Sequence, residues 1–175
     1  MQTLTKILIP ILIFFMLVGC FPAAGDQITP DNGTQNMPNS EENTSKEPKA
    51  HPLIIAHRGA RSLAPENTIA AARKALEIGV DLWELDVAVT SDNELIVVHD
   101  DTLNRTCNVA EKFPKRIPWN VWEFTLEEVK TLDCGTWFIN TDPFEQIKKG
   151  NVTEAEVNSY RGEKIPTLRE AIQFT

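Results

Sequence analysis

The strongest fold signal in the sequence is the segment Leu53-Ile54-Ile55-Ala56-His57-Arg58-Gly59, a short apolar run that ends abruptly in polar residues and a glycine. Four successive apolar residues bounded by a turn signal are typical of a buried strand. We therefore predict a strand over residues 53–56. Its carboxyl end would carry the side chains of His57 and Arg58.

Outward from this strand, helix and strand patterns alternate. Asn67 is a suitable N-cap for a helix over residues 68–78. A second strand is predicted over residues 80–89 and a third over residues 95–98. This order is that of an α/β fold, although the last two strands are joined by little more than a turn. Because a parallel crossover needs a dozen or more residues, we expect this unit to be irregular.

Two further helices are predicted from capping-box sequences, Thr125-Leu126-Glu127-Glu128 and Thr167-Leu168-Arg169-Glu170. The second of these helices has barely begun when the sequence stops at Thr175. We therefore expect the chain to be the front part of a longer protein.

Residues 1–20 are similar to an export signal. One positive charge, Lys6, precedes an apolar run from Ile7 to Val18, which is shorter than the roughly 20 residues of a spanning helix. Leu17-Val18-Gly19-Cys20 resembles a bacterial lipobox, in which Cys20 becomes the lipid-modified first residue. We expect an exported lipoprotein on the outer side of the cytoplasmic membrane. The alternative is an uncleaved N-terminal membrane anchor.

Residues 21–50 are predicted to be a disordered linker, since only six of these thirty residues are apolar and such a segment buries too little surface to offset its chain entropy. The folded part is then residues 51–175, which suffices for one domain and is too short for a complete eight-stranded barrel. The net charge of −8 argues against a nucleic-acid partner. The sequence carries no signal for an oligomeric state.

Polar side chains collect near the carboxyl ends of the predicted strands, where α/β barrels hold their active sites. Glu84 and Asp86 are two residues apart on one strand and therefore project to the same face. Close carboxylates repel each other unless they are protonated or bridged, so we predict a shared hard cation, Ca²⁺ or Mg²⁺. The alternative, a solvated acidic sheet face, fits poorly with the apolar residues around them.

Two of the three histidines, His57 and His99, end predicted strands. A lone histidine is more often structural, but a pair beside two carboxylates suggests an acid and a base on opposite sides of one reacting bond. Arg58 has the forked guanidinium that suits a phosphate oxygen. Its alternative role is a salt bridge to a carboxylate such as Glu66.

Six motifs follow one another in order between residue 53 and the end of the chain: Ile55-Ala56-His57-Arg58-Gly59-Ala60, Ala64-Pro65-Glu66-Asn67-Thr68, Glu84-Leu85-Asp86-Val87, Val98-His99-Asp100, Asp101-Thr102-Leu103-Asn104-Arg105-Thr106 and Leu132-Asp133-Cys134-Gly135-Thr136-Trp137-Phe138. In this order and spacing they resemble the N-terminal half of the glycerophosphodiester phosphodiesterase family. Several motifs in register are far more specific than a lone short motif.

The resemblance implies a (β/α)8 TIM barrel of the phosphatidylinositol phospholipase-like type, truncated after roughly its first three strands. It implies metal-dependent hydrolysis of a small-molecule glycerophosphodiester to sn-glycerol 3-phosphate and an alcohol. His57 and His99 correspond to the family's general acid and base, and Arg58 to its phosphate-binding arginine.

The same resemblance assigns the metal-binding carboxylates to Glu84 and Asp86. Glu66 and Asn67 are given supporting roles, capping the first helix and bracing Arg58 or the metal ligands. A third metal carboxylate is expected beyond Thr175. We therefore expect a chain ending there to be poorly folded and inactive unless a partner completes the sheet.

Three points stay open at this level. A phospholipase-type phosphodiesterase of the same barrel would need an apolar rim, for which aromatic residues within 113–124 are candidates, although a core position suits them better. A non-catalytic phosphodiester-binding lipoprotein would need no acid and base pair. Cys107 and Cys134 form one disulfide or remain two free thiols, because their spacing alone does not show that they meet.

Overall fold

The computed structural model describes residues 15–18 and 52–175. The predictions for Cys20, for the linker over residues 21–50 and for most of the signal peptide lie outside the described residues. Strand β1, Phe15–Val18, and strand β2, Ile55–Ala56, flank strand β3, Leu82–Leu85, in a three-stranded sheet. β2 runs parallel to β3, with Ile55 opposite Leu82, whereas β1 pairs with β3 in the antiparallel sense.

β2 is shorter than the strand predicted over residues 53–56. Leu53 and Ile54 are each 61% exposed, Ile55 is 40% exposed and Ala56 is partly buried. The prediction of a strand is therefore confirmed at residues 55–56, and the prediction that it is buried is wrong. The chain is held there instead by hydrogen bonds around Asp81: its carboxylate accepts from the Ile54 N–H at 2.8 Å, and its own N–H donates to the Ile54 carbonyl at 3.0 Å.

Helix α1, Ile69–Glu77, begins one residue later than predicted and packs on the sheet through alanines. Its N-cap is Thr68, whose hydroxyl accepts from the N–H of Ala71. The prediction that Asn67 caps this helix is therefore wrong. Asn67 has a φ of 56°, a left-handed conformation that asparagine tolerates better than most residues, and its amide is used elsewhere.

The strand predicted over residues 80–89 is divided in two at Asp86. β3 ends at Leu85, and β4, Val87–Val89, turns away to pair antiparallel with β5, Leu95–Val97, with Val87 opposite Val97. A left-handed Asn93 lies in the intervening turn. The short connection thus makes an antiparallel hairpin rather than a crossover, which confirms the predicted irregularity.

The rest of the described chain is mainly helical: α2 Val109–Lys112, a 3-10 helix Val121–Glu123, α3 Leu126–Lys130, α4 Thr136–Thr141, α5 Glu154–Tyr160 and α6 Leu168–Phe174. The capping boxes at Thr125 and Thr167 are confirmed. A third box, Thr153 with Glu156, opens α5 and was not foreseen. None of the helices described is long and apolar enough to cross a membrane.

Cys107 and Cys134 form a disulfide, which settles the choice between a bond and two free thiols. The bond lies within an apolar cluster that also contains Phe124, Leu132 and Ile165, all nearly or fully buried. It therefore joins the loop after β5 to the segment that leads into α4.

Candidate active site

A tight turn follows β2 and carries the first two predicted site residues. Arg58 has a φ of 60° and Gly59 a φ of 74°. The N–H of Gly59 lies 3.2 Å from both the Ala56 and the Glu84 carbonyl oxygens. A Cβ on Gly59 would lie only 2.7 Å from the Cβ of Ala71. Because α1 passes so close, only glycine fits this turn without displacing the helix.

Arg58 lies among three carboxylates. Its backbone N–H donates to Glu84 Oε2 at 2.9 Å, and its Nη1 donates to Glu66 Oε1 at 3.1 Å. Its Nε is 3.3 Å from Asp86 Oδ2 but, although buried, is not aligned for a hydrogen bond. The side chain is 13% exposed, so this is one cation inside a buried acidic cluster.

Glu84 and Asp86 are 3% and 8% exposed. Asp86 Oδ2 accepts from Asn67 Nδ2 at 2.9 Å, while the Asp86 N–H donates to Asn67 Oδ1 at 3.3 Å. His57 Nε2 is 3.8 Å from Glu84 Oε2. Two buried carboxylates that share a single arginine give an oxygen donor set of the kind that suits a hard cation. Within the described ranges no group of three or more His, Cys, Asp or Glu residues is arranged to hold an ion.

His99, at the end of β5, reaches this cluster through a chain of charged hydrogen bonds. Its Nδ1 is 2.6 Å from Asp100 Oδ1. Arg105 grips Asp100 with two nitrogens, Nε to Oδ2 at 2.5 Å and Nη2 to Oδ1 at 3.0 Å, and the same Nη2 donates to Glu66 Oε1 at 2.6 Å. Glu66 in turn accepts from Arg58.

The two arginines set the charge state of this network. Burial by itself would raise the pKa of Glu66, but the hydrogen bond and charge of Arg105, followed by those of Arg58, outweigh it and lower that pKa. The hydrogen bond from Arg105 is the main reason that the pKa of Asp100 is also lowered. Both carboxylates are therefore ionised at neutral pH.

All seven residues predicted within the described chain lie in or next to this network. Glu66 accepts a hydrogen bond from Arg58, and Asn67 donates one to Asp86. These contacts are of the kind expected for residues that support Arg58 and the metal ligands. Arg105 and Asp100 were assigned no role from sequence, although both stand in motifs that resemble the family. The signal that could have found them is a pair of aspartates directly after His99 followed within five residues by an arginine, in a segment with no strand or helix pattern.

Comparison with known proteins identifies the family. Residues 57–175 match the model of the glycerophosphoryl diester phosphodiesterase family. A glycerophosphodiester phosphodiesterase of Caldanaerobacter subterraneus is 44% identical over 122 residues, which are 70% of this chain and 40% of that protein. A glycerophosphoinositol inositolphosphodiesterase of Mus musculus is 39% identical over 122 residues, 70% of this chain and 22% of that protein.

Among solved structures, an Oleispira antarctica phosphodiesterase in complex with the product sn-glycerol-3-phosphate matches with a TM-score of 0.53 and 32% identity, over 70% of this chain and 39% of that one. The chain belongs to the glycerophosphoryl diester phosphodiesterase family. Its α/β fold corresponds to part of the TIM barrel of that family. The chain spans 22% to 40% of the length of the relatives named above.

Proposed function

We propose that this chain supplies the front part of a metal-dependent glycerophosphodiester phosphodiesterase, which releases sn-glycerol 3-phosphate and an alcohol. The observation that carries the proposal is that Arg58 and His57 contact the buried carboxylates, while His99 is linked to them by hydrogen bonds through Asp100, Arg105 and Glu66, in a chain whose residues 57–175 match the family. Acid and base chemistry needs such a pair within reach of one substrate.

Arg58 is the residue proposed to bind the phosphate. Its Nη1 is engaged by Glu66 and its Nε lies against Asp86, while its Nη2 makes no hydrogen bond to the described residues. That nitrogen is the donor that we assign to a phosphate oxygen. The carboxylates around it hold the guanidinium in place before substrate arrives, which lowers the entropic cost of binding.

Glu84 and Asp86 would hold the divalent cation, Ca²⁺ or Mg²⁺. A bound cation offsets negative charge on the phosphoryl oxygens. The chain prepares for it by burying two carboxylates and satisfying one oxygen of each, Glu84 Oε2 through the Arg58 N–H and Asp86 Oδ2 through Asn67.

His99 and His57 are proposed to move the protons. When neutral His99 carries its proton on Nδ1, this N–H donates a hydrogen bond to Asp100, and the Nε2 lone pair is available as a base. His57, 51% exposed and next to Glu84, is proposed as the acid that protonates the leaving alcohol. The glycerol hydroxyl from which His99 removes a proton would attack phosphorus and expel the alcohol, which takes its proton from His57. The cyclic phosphate left behind would then be opened by water to give sn-glycerol 3-phosphate.

We further propose that lipidated Cys20 holds the protein at the outer side of the cytoplasmic membrane. Cleavage before Cys20 would remove β1 and leave β3 paired with β2. The disulfide between Cys107 and Cys134 supports export, because such bonds persist in oxidising compartments. Labelling with a radioactive fatty acid, compared with a Cys20→Ala variant, tests this. Label and membrane association that persist in the variant would favour the uncleaved anchor instead.

Activity is tested by release of sn-glycerol 3-phosphate from glycerophosphocholine and glycerophosphoinositol, with Ca²⁺, Mg²⁺ or a chelator. Since the chain spans 40% of the Caldanaerobacter relative, activity is measured on a chimera, that enzyme with its matching 122 residues replaced by this chain's, and the 175-residue chain alone is expected to be inactive. In the chimera we expect metal-dependent release that falls at least about a hundredfold in His57→Ala and His99→Ala and is unchanged in the exposed control Glu94→Gln. No release from the chimera contradicts the proposal.

The two alternative functions are weaker. The apolar rim of a phospholipase would draw on Phe113, Trp119, Trp122 and Phe124. Phe124 is fully buried and Phe113 and Trp119 pack against the core, which leaves Trp122, 48% exposed, as the one of these four that faces solvent. A non-catalytic binding lipoprotein would retain sn-glycerol 3-phosphate in the assay without producing it. Equilibrium binding without turnover therefore separates that function from an enzyme.

A further inference from the structure

Arg105 lies between the two halves of the candidate site. On one side it grips Asp100, which hydrogen-bonds His99; on the other it donates to Glu66, which accepts from Arg58. The loop after β5 thus reaches the turn after β2 through a single side chain. No direct hydrogen bond joins His99 to Arg58 among the described residues.

The geometry of Arg105 is that of a fork with two separate targets. Nε and Nη2 bind both oxygens of Asp100, and Nη2 is shared with Glu66 Oε1. A planar guanidinium meets these directions together, whereas the single ammonium of a lysine does not. Because Arg105 is 41% exposed, solvent screening limits what its ion pairs contribute to stability.

The other face of Arg105 is also held. Its guanidinium carbon lies 5.9 Å from the centre of the Trp137 ring, and the Trp137 indole N–H donates to the Cys134 carbonyl at 3.0 Å. Cys134 is tied to Cys107, two residues after Arg105, by the disulfide. The arginine is therefore placed by the disulfide-linked loop and an aromatic ring, in addition to its carboxylate partners.

We propose that Arg105 is a positioning residue of the proposed phosphodiesterase, acting on His99 through Asp100 and on Arg58 through Glu66. The inference rests on the proposed function for its catalytic consequence, but the linkage itself exists without substrate. Asp100, oriented by Arg105, accepts a hydrogen bond from the Nδ1–H of His99. The Nε2 lone pair of His99 is then left to act as the base. Glu66, held ionised by two arginines, keeps Arg58 extended for the phosphate.

The linkage is measured by NMR on the 175-residue protein, whose three histidines are assigned with His57→Gln and His99→Gln variants. In the unaltered protein we expect His99 to carry its proton on Nδ1 when neutral. In Arg105→Gln the guanidinium no longer fixes Asp100, so we expect the imidazole ¹⁵N shifts to show neutral His99 divided between its Nδ1–H and Nε2–H tautomers. Arg105→Lys keeps the charge without the fork and should show the same loss of the Nδ1 preference. Arg161→Gln, an exposed arginine outside the network, should leave that preference unchanged.

Turnover of the chimera then tests whether the two-sided contact of the Arg105 guanidinium matters for catalysis. Arg105→Lys keeps the charge but cannot bridge Glu66 and Asp100, so we expect kcat to fall about tenfold or more with KM changed less than about threefold. A neutral His99 that carries its proton on Nε2 in the unaltered protein overturns the proposal without any variant. A folded Arg105→Gln protein in which neutral His99 keeps its proton on Nδ1 as fully as in the unaltered protein also overturns it.

The two proposals fail separately. If NMR shows the Nδ1 tautomer of His99 and the chimera releases no sn-glycerol 3-phosphate, the positioning contact stands and the proposed function fails. If the chimera is active and its Arg105→Lys variant keeps full kcat, the proposed function stands and the catalytic role of Arg105 fails.

Discussion

The backbone N–H of Arg58 donates to Oε2 of Glu84 over 2.9 Å. The residue proposed to bind phosphate and a residue proposed to bind metal are thus joined through main chain as well as charge. This contact depends on the left-handed turn at Arg58 and Gly59, so the turn that ends β2 directly orients a carboxylate on β3.

Glu84→Gln tests the metal site. Glutamine keeps an acceptor oxygen for the Arg58 N–H, so we expect the free energy of unfolding without metal to change by less than about 1 kcal/mol. Loss of one carboxylate charge should weaken Ca²⁺ binding by about tenfold or more, measured by isothermal titration calorimetry. The exposed Glu94→Gln is the matched control. Equal Ca²⁺ affinity in both variants would exclude Glu84 from the metal site.

Gly59→Ala tests the close approach of the turn to α1. Its positive φ costs about 1–2 kcal/mol, and the contact with Ala71 adds about 1–3 kcal/mol of overpacking. Gly79→Ala is the control, because Gly79 has the same φ of 74° and a Cβ added there would meet no neighbouring atom within 4 Å. Urea denaturation should therefore show the larger loss of stability for Gly59→Ala. Equal losses of stability in the two variants would mean that α1 shifts away from the new methyl group at no cost.

Replacing Cys107 and Cys134 together by serine should lower the free energy of unfolding by about 3–4 kcal/mol, since the bond closes a loop with a sequence separation of 27. Dithiothreitol should lower the Tm of the unaltered protein and leave that of the double variant unchanged. After the treatment, alkylation of both thiols shows that the disulfide is reduced. If the Tm of the unaltered protein is then unchanged, the disulfide does not stabilise the fold.

The ion pair between Lys74 on α1 and Glu156 on α5 predicts a pH dependence. The hydrogen bond from Lys74 is the main cause that lowers the pKa of Glu156 to about 2, from an ordinary 4.5. A lowered folded pKa stabilises the protein fully above the ordinary value, and this contribution is lost as the pH falls from 4.5 towards 2. Glu156→Gln should therefore lose less stability over that range.

Chemical denaturation at pH 6, 4 and 3 measures the effect. The matched control is Glu154→Gln, an exposed change in the first turn of the same helix. The two side chains are 18% and 26% exposed, and solvent screening limits the contribution of this partly buried pair to about 1 kcal/mol or less. An acid response of Glu156→Gln identical to that of the unaltered protein would show that the pair does not contribute.

Most of the fold was accessible from local sequence patterns. The apolar run before His57, the helix after Asn67 and the capping boxes at Thr125 and Thr167 all predict elements that form. The break at Asp86 was missed because residues 80–89 are continuously strand-like, and the antiparallel pairing that divides them depends on partners some ten residues away. Local propensity does not contain that pairing.

The site was accessible in part for a similar reason. Residues that end strands, such as His57 and His99, are marked by their position in an α/β pattern. Arg105 lies in a loop, where no periodicity applies, and its role comes from hydrogen bonds to Glu66, 39 residues away. Likewise, the spacing of Cys107 and Cys134 says nothing about the distance between them in space, so their pairing needed coordinates.

The hairpin of β4 and β5 also bears on the order in which the site is built. It begins one residue after Asp86 and ends two residues before His99, and the Val98 N–H donates to the Asp86 carbonyl at 3.0 Å. Contacts this close in sequence form early, because a hairpin closes in about 1–10 μs. The contact between His57 and Glu84 forms later, since helix α1 separates the two residues in sequence. The half of the site around Asp86 is thus expected to be in register before the half around His57 docks against it.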